Sequence, residues 1–292
     1  MKQLELGIER PKEADRNYHL GGRSFYFFDF DDNVAFLTTP LILFHKVTRE
    51  ELNISSGQFA TEHSRIGKSG IYQDFEINWD DVAGTFRNFR DHHNDELERL
   101  GLQTQIFIND VAHALGFPDF HWKGPSWSTF YHAAFNQRPV SVITARGHNP
   151  ETIKRGVEVF VKQGHLPSTP NYLSIYPVSH KPTRILLGDS DFKMTTAELK
   201  QAAIRASVER ALDLYGYSPH HRFGMSDDDP KNIELITEEL TRLKARYPEM
   251  KFYMIETQNG EFVKNEIFAG GPSQPTQTRP SEVIQPSLFS ST

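Results

Sequence analysis

The apolar residues of this chain fall into short runs separated by longer stretches of helical spacing. "SFYFFDF" (24–30), "PVSVITARG" (139–147), "YLSIYPVS" (172–179), "RILLG" (184–188), "HRFGMS" (221–226) and "KFYMIET" (251–257) each have strand length. Between them, "NPETIKRGVEVFVKQG" (149–164) repeats its apolar positions at helical spacing, with Asn149 as N-cap and Pro150 in the first turn. "TTAELKQAAIRASVERALDLYG" (195–216) and "DPKNIELITEELTRLKARYP" (229–248) predict two more helices. Such alternation predicts an α/β fold: a doubly wound, Rossmann-like parallel sheet with helices on both faces. In that architecture, sites form at the carboxyl ends of the strands.

Residues 46–124 break the alternation. They are more polar and predict helices at "TREEL" (48–52), "WDDVAGTFRNFRDHHNDELERLG" (79–101) and "TQIFINDVAHALG" (104–116). A structureless loop of that length inside a compact domain is improbable, so the stretch reads as a mainly helical insertion. The expected organisation is an N-terminal extension over 1–21, a core over 22–45 and 125–268, the insertion over 46–124, and a flexible tail over 269–292. The tail is rich in Pro, Ser, Thr, Gln and Gly.

Composition narrows the class. The chain has 292 residues, 37% hydrophobic and 24% charged, which is ordinary for a globular protein. Lys and Arg number 32 against 38 Asp and Glu, a formal charge of −6. That balance makes a nucleic-acid partner unlikely while leaving room for a local basic groove. Cysteine is absent, which removes thiolate ligands, disulfides and a cysteine nucleophile. No apolar run approaches the roughly 20 residues of a membrane span. The polar start, "MKQLELGIERPKEADRNYHLGG", lacks a signal-peptide core, so a cytoplasmic location is expected.

The chemistry-bearing residues gather at predicted strand ends. Asp29, Asp31 and Asp32 close the first strand, Thr144 closes "SVIT", and Asp227, Asp228 and Asp229 follow "FGMS". Carboxylates this close repel unless a positive charge sits among them. If the strands are parallel and adjacent, the cluster suits a hard divalent cation, Mg2+ first.

"DFDDN", "VITARG" and "GMSDDDPKN", in that order, resemble the first, second and fourth motifs of the haloacid dehalogenase-like (HAD) superfamily, which also carries a cap between the first two. The resemblance covers about residues 22–268. It implies a Mg2+-dependent phosphatase acting on a small phosphomonoester. By that resemblance Asp29 is the nucleophile and Asp31 the general acid and base, with its backbone carbonyl toward the metal. Asp29, Asp31, Asp227 and Asp228 form the metal site, and Thr144 binds the phosphoryl group. A lysine ahead of the fourth motif balances charge; Lys193 fits best, with Lys181 and Lys200 as alternatives. Arg146 either holds substrate phosphate or pairs with an acid at the surface. Asn33 stands where the superfamily commonly has Thr or Val. With Asp31 present, phosphatase chemistry is favoured over dehalogenase chemistry.

Two other readings are open. The chain could be a non-catalytic binding protein of the same fold, or a polynucleotide end-phosphatase, which would require a basic groove. Two local patterns carry no weight. "GKSG" (67–70) lacks the preceding glycine of a phosphate-binding loop, having Glu62 there. "DHH" (91–93) falls in a charged helical stretch, where both histidines are expected to be solvated. The aromatic residues Phe117, Phe120, Trp122, Trp127, Phe130 and Tyr131 are expected to pack the insertion against the core.

Overall fold

The structure, a computed structural model, describes residues 11–257, 261–270 and 274–280. The chain enters through strand β1 (Ser24–Phe28), in which alternate side chains are aimed at opposite sides. It then leaves the main sheet for β2 (Leu41–His45), β3 (Glu51–Ile54), α1 (Ser56–Glu62), β4 (Phe75–Glu76) and α2 (Asn94–Arg99). Helices α3 (Ile106–Ala114), α4 (Asp119–Trp122) and α5 (Trp127–Phe135) lead back to β5 (Pro139–Thr144). The expected alternation follows: α6 (Pro150–Lys162), β6 (Asn171–Pro177), α7 (Lys181–Leu186), α8 (Thr196–Tyr215), β7 (Arg222–Asp227), α9 (Pro230–Arg246) and β8 (Lys251–Glu256). An antiparallel pair, β9 (Glu261–Ile267) and β10 (Gln274–Pro280), completes the elements.

The main sheet has seven strands in the order β10-β9-β8-β7-β1-β5-β6. β1 lies between β5 and β7 and runs parallel to both, with Phe28 opposite Val142 and Ser226. β6 and β8 extend the parallel part, while β9 and β10 add antiparallel strands. The alternation along β1 divides the core. Phe25 and Phe27 pack with Leu199 and Ile204 of α8 and Ile236 and Leu240 of α9. Phe28 packs with Val140 and Val142 and with Phe107 of α3, Phe130 of α5 and Phe160 of α6. None of the helices among the described residues is long and apolar enough to cross a membrane.

The inserted segment has its own small core. Leu41, Leu43, Ile54, Ile66 and Tyr72 pack over a three-stranded sheet of order β3-β2-β4. This departs from the mainly helical expectation. "TREEL" becomes a turn and part of β3: His45 N–H donates to the Glu50 carbonyl, Arg49 takes φ 63°, and Leu52 pairs with Leu43. A five-residue helix is marginal alone, whereas the strand gains cross-strand apolar partners. The 79–101 stretch is helical only at a 3-10 turn (Arg87–Phe89) and at α2. The Asp80 carboxylate accepts the Val82 and Ala83 N–H groups, at 2.9 and 2.7 Å, and fixes a turn in place of a helix. His92 is buried, with Nδ1 3.4 Å from Glu96, while His93 stays exposed as expected.

The insertion also ends earlier than its composition suggests. α3 belongs to the main core, where Phe107 meets α6 at Gly156; a Cβ there would lie 2.2 Å from the ring. Trp122, Trp127 and Phe130 join the same cluster, Tyr131 is half-buried, and Phe117 and Phe120 are exposed. Asp91 ties the insertion to the core: its Oδ2 accepts from Asn149 N–H at 3.0 Å and Thr152 Oγ1 at 3.1 Å, at the start of α6.

Two further expectations change. "RILLG" is not a strand; Pro182 sits in the first turn of α7, and Ile185 and Leu186 are left exposed. Part of the expected tail, residues 274–280, pairs with β9 as an edge strand, a position that tolerates Pro275 and Pro280. Of the rest of that tail, residues 271–273 and 281–292 lie outside the described residues.

Candidate active site

Asp29 is the first residue past β1, and its N–H donates to the Ser226 carbonyl at 3.0 Å. That bond aligns the carboxyl ends of β1 and β7, so Asp29 and Asp227 emerge side by side. Asp29, Asp227 and Asp228 each present a carboxylate oxygen within 4.8 Å of the others. Burial pushes the Asp29 carboxyl up to about 8; Lys200 opposes the rise and Asp227 and Asp31 add to it. Asp228 is raised well above the usual range, by burial first and then by Asp29 and Asp227.

The positive charge inside this cluster is Lys200, from the second turn of α8. Its ammonium lies 2.6 Å from Asp227 Oδ2 and 3.2 Å from Asp29 Oδ2, and the side chain is fully buried. Burial alone would lower its pKa; Asp227 and Asp29 outweigh that and raise it. Asp227 Oδ1 accepts from Asp229 N–H and Asn232 Nδ2, at 3.1 and 3.2 Å. Among the lysines, Lys193, favoured by its position near the helix start, is not brought to the site. It is 81% exposed and pairs with Asp191, and Lys181 pairs with Asp81 at the surface. Lys200, one of the two alternatives to Lys193, lies inside the helix rather than ahead of it. Its sequence signal was a charge on the buried stripe otherwise formed by Ala203, Ile204, Ser207 and Ala211.

Asp31 lies on the turn that follows β1. Arg146 Nη2 donates to its Oδ1 at 2.6 Å and Nε to Oδ2 at 2.8 Å, while Thr144 Oγ1 donates to Oδ2 at 3.4 Å. Arg146 is therefore no surface residue. It is 1% exposed, with its guanidinium carbon 4.6 Å from the ring centres of both Phe89 and Phe107. Asp31 keeps 21% of its side chain exposed and is not among the three clustered carboxylates. Thr144 closes β5 at the same edge.

The rest of "DFDDN" builds the turn. Asp32 adopts φ 57°, a left-handed conformation that Asp tolerates. Its carboxyl is pushed up to about 6 by burial and by Asp31, against a hydrogen bond to Ser56 of α1. Asn33 is fully buried: Oδ1 accepts from Ser226 Oγ at 3.2 Å, and its carbonyl accepts from Ser126 N–H. A Cβ on Gly124 would lie 2.2 Å from that carbonyl, so glycine permits the close approach. Asn33 latches the turn to β7. Asp229 caps α9 through Lys231 N–H at 2.9 Å and is exposed.

The donor set fits a hard cation. Three carboxylates converge, and Asp29 Oδ1, buried, has no hydrogen-bond partner. No family model, curated protein or solved structure matches the chain.

Proposed function

We propose that the chain is a Mg2+-dependent phosphatase for phosphomonoesters, with a doubly wound core, the inserted segment acting as a cap, and a cytoplasmic location. The observation that carries this reading is the Asp29–Lys200–Asp227 arrangement, with Asp228, at the carboxyl ends of adjacent parallel strands. Such a set holds an anion's oxygens beside a carboxylate nucleophile.

Asp29, Asp227 and Asp228 would hold the cation, which supplies Lewis-acid charge for phosphate oxygens. An Asp29 oxygen attacks phosphorus, forming an aspartyl-phosphate while the P–O bond to the alcohol breaks. The alkoxide oxygen takes its proton from Asp31, reached through the exposed part of that side chain. Water then attacks the same phosphorus and gives its proton to Asp31, and phosphate and free Asp29 are released. Lys200 balances the negative charge, and the Thr144 hydroxyl turns its one hydrogen from Asp31 to a phosphoryl oxygen. Arg146, packed between two rings, positions Asp31.

The test is hydrolysis of an aryl phosphate with Mg2+ and with EDTA, on wild type and Asp29→Asn. Metal-dependent turnover that vanishes in the variant supports the mechanism; full activity in Asp29→Asn rejects it.

A further inference from the structure

Behind the grip of Arg146 on Asp31 stands another carboxylate. Thr38 Oγ1 donates to Asp110 Oδ1 at 2.6 Å, and Thr39 Oγ1 donates to Asp110 Oδ2. Thr39 is buried, and its oxygen accepts from Arg146 Nη2 at 2.8 Å. The bonds thus run unbroken from Asp110 through Thr39 and Arg146 to Asp31. Thr38 hangs on the same carboxylate but stands outside that line. Both threonines lie on the stretch that leads from the turn after β1 to β2, where the chain leaves for the insertion.

Thr39 decides how the guanidinium lies. The rings of Phe89 and Phe107 hold its plane but leave it free to turn within that plane. Among the described residues its hydrogen-bond partners are Asp31 and Thr39, while Nη1, buried, has none. Asp31 is the group to be placed, so the fixed point is Thr39. A hydroxyl has one hydrogen to give. That of Thr39 goes to Asp110, so Arg146 meets lone pairs only, and bonds in such a chain polarise one another. Asp110 is fixed in turn: it stands one turn beyond Phe107 on α3 and next to Val111, and both of those side chains are fully buried.

We infer that Asp110 is a positioning residue for the acid–base step, acting on Asp31 through Thr39 and Arg146. The inference rests on the phosphatase reading, in which Asp31 protonates the leaving oxygen. A carboxylate that only fastened the chain at Thr38 and Thr39 would serve every substrate alike. One that aims the general acid matters most where the leaving oxygen cannot depart without a proton.

The experiment compares kcat/KM for 4-nitrophenyl phosphate and phenyl phosphate, with Mg2+, on the full chain. The two esters are similar in shape, but phenol is the poorer leaving group, and kcat/KM reports the transition state against free enzyme and ester. Asp110→Asn and Thr39→Val should each lower kcat/KM for phenyl phosphate on the order of tenfold more than for the nitrophenyl ester, a part of what a general acid supplies. Thr39→Ser keeps the hydroxyl and should behave as wild type. Thr38→Val removes the bond that does not lead to Arg146 and should scale both esters equally. In an Asp31→Asn background, Asp110→Asn should change the ratio no further. Equal losses on both esters in Asp110→Asn and Thr39→Val, or no loss on either, overturn the inference and leave the phosphatase reading standing. No Mg2+-dependent turnover of either ester by wild type, or full turnover by Asp29→Asn, overturns that reading and the inference with it.

Discussion

Arg146 grips Asp31 through two nitrogens, at 2.6 and 2.8 Å, while its guanidinium lies between the rings of Phe89 and Phe107. Phe89 comes from the insertion and Phe107 from α3. The general acid of the proposed mechanism is thus oriented by a cation whose own position depends on both parts of the chain.

Removing that cation should leave Asp31 without its partner in a largely buried place. We expect Arg146→Met to lower stability by roughly 2–4 kcal/mol in urea unfolding. Lysine cannot reproduce the planar two-point contact, so Arg146→Lys should recover only part of the loss. Adding Asp31→Asn to Arg146→Met should restore stability more than additivity allows.

Lys200→Met takes the ammonium from between Asp29 and Asp227. Breaking a fully buried ion pair from one side costs about 3–5 kcal/mol. The freed carboxylates should then value a cation more. Thermal scans with and without Mg2+ should show a larger metal-induced rise in Tm for the variant than for wild type. An equal or smaller rise would count against these carboxylates as metal ligands.

His148 supplies an acid limb to stability. It is fully buried, with neither ring nitrogen hydrogen-bonded, and its pKa is held well below the usual value by burial first, then by Arg146, His92, Arg90 and His180. The unfolded chain binds a proton at this residue below about pH 6.5, and the folded chain does not. Stability from this group is therefore complete above that pH and lost as pH falls, by about 1.4 kcal/mol per pH unit. His148→Leu should flatten the slope between pH 6.5 and 5 by about one proton in chemical denaturation.

The contact of α3 with α6 is a fourth point of test. Gly156→Ala would put a methyl 2.2 Å from Phe107 Cε1, and the ring is fully buried. Despite the gain in helix propensity, the variant should lose about 1–3 kcal/mol by overpacking. Adding Phe107→Leu should relieve part of that loss.

The parallel core was legible because its strands carried their own apolar runs and α6 its own cap at Asn149. Asp29, Thr144 and Asp227 could be placed together because strand ends are easy to find and parallel neighbours share an edge. Lys200 was harder: nearness in sequence to a helix start pointed to Lys193, while burial depends on which helix face meets the sheet. The partner of Asp31 was a matter of depth, since Arg146 looks like a surface residue until Phe89 arrives from the insertion. The insertion itself misled, because β3 is made by pairing with β2 and not by local preference. The same is true of β10, whose polar sequence gives no sign of the edge it joins.

Asp91 gives the insertion a mooring. By accepting from Asn149 N–H and Thr152 Oγ1, a side chain of the inserted body serves as part of the first turn of a core helix. With the Gly147 N–H donating to the Phe89 carbonyl at 2.7 Å, this contact is one of the bonds that fasten the insertion to the core. Hydrogen exchange at the Asn149 amide would report how firmly that fastening holds.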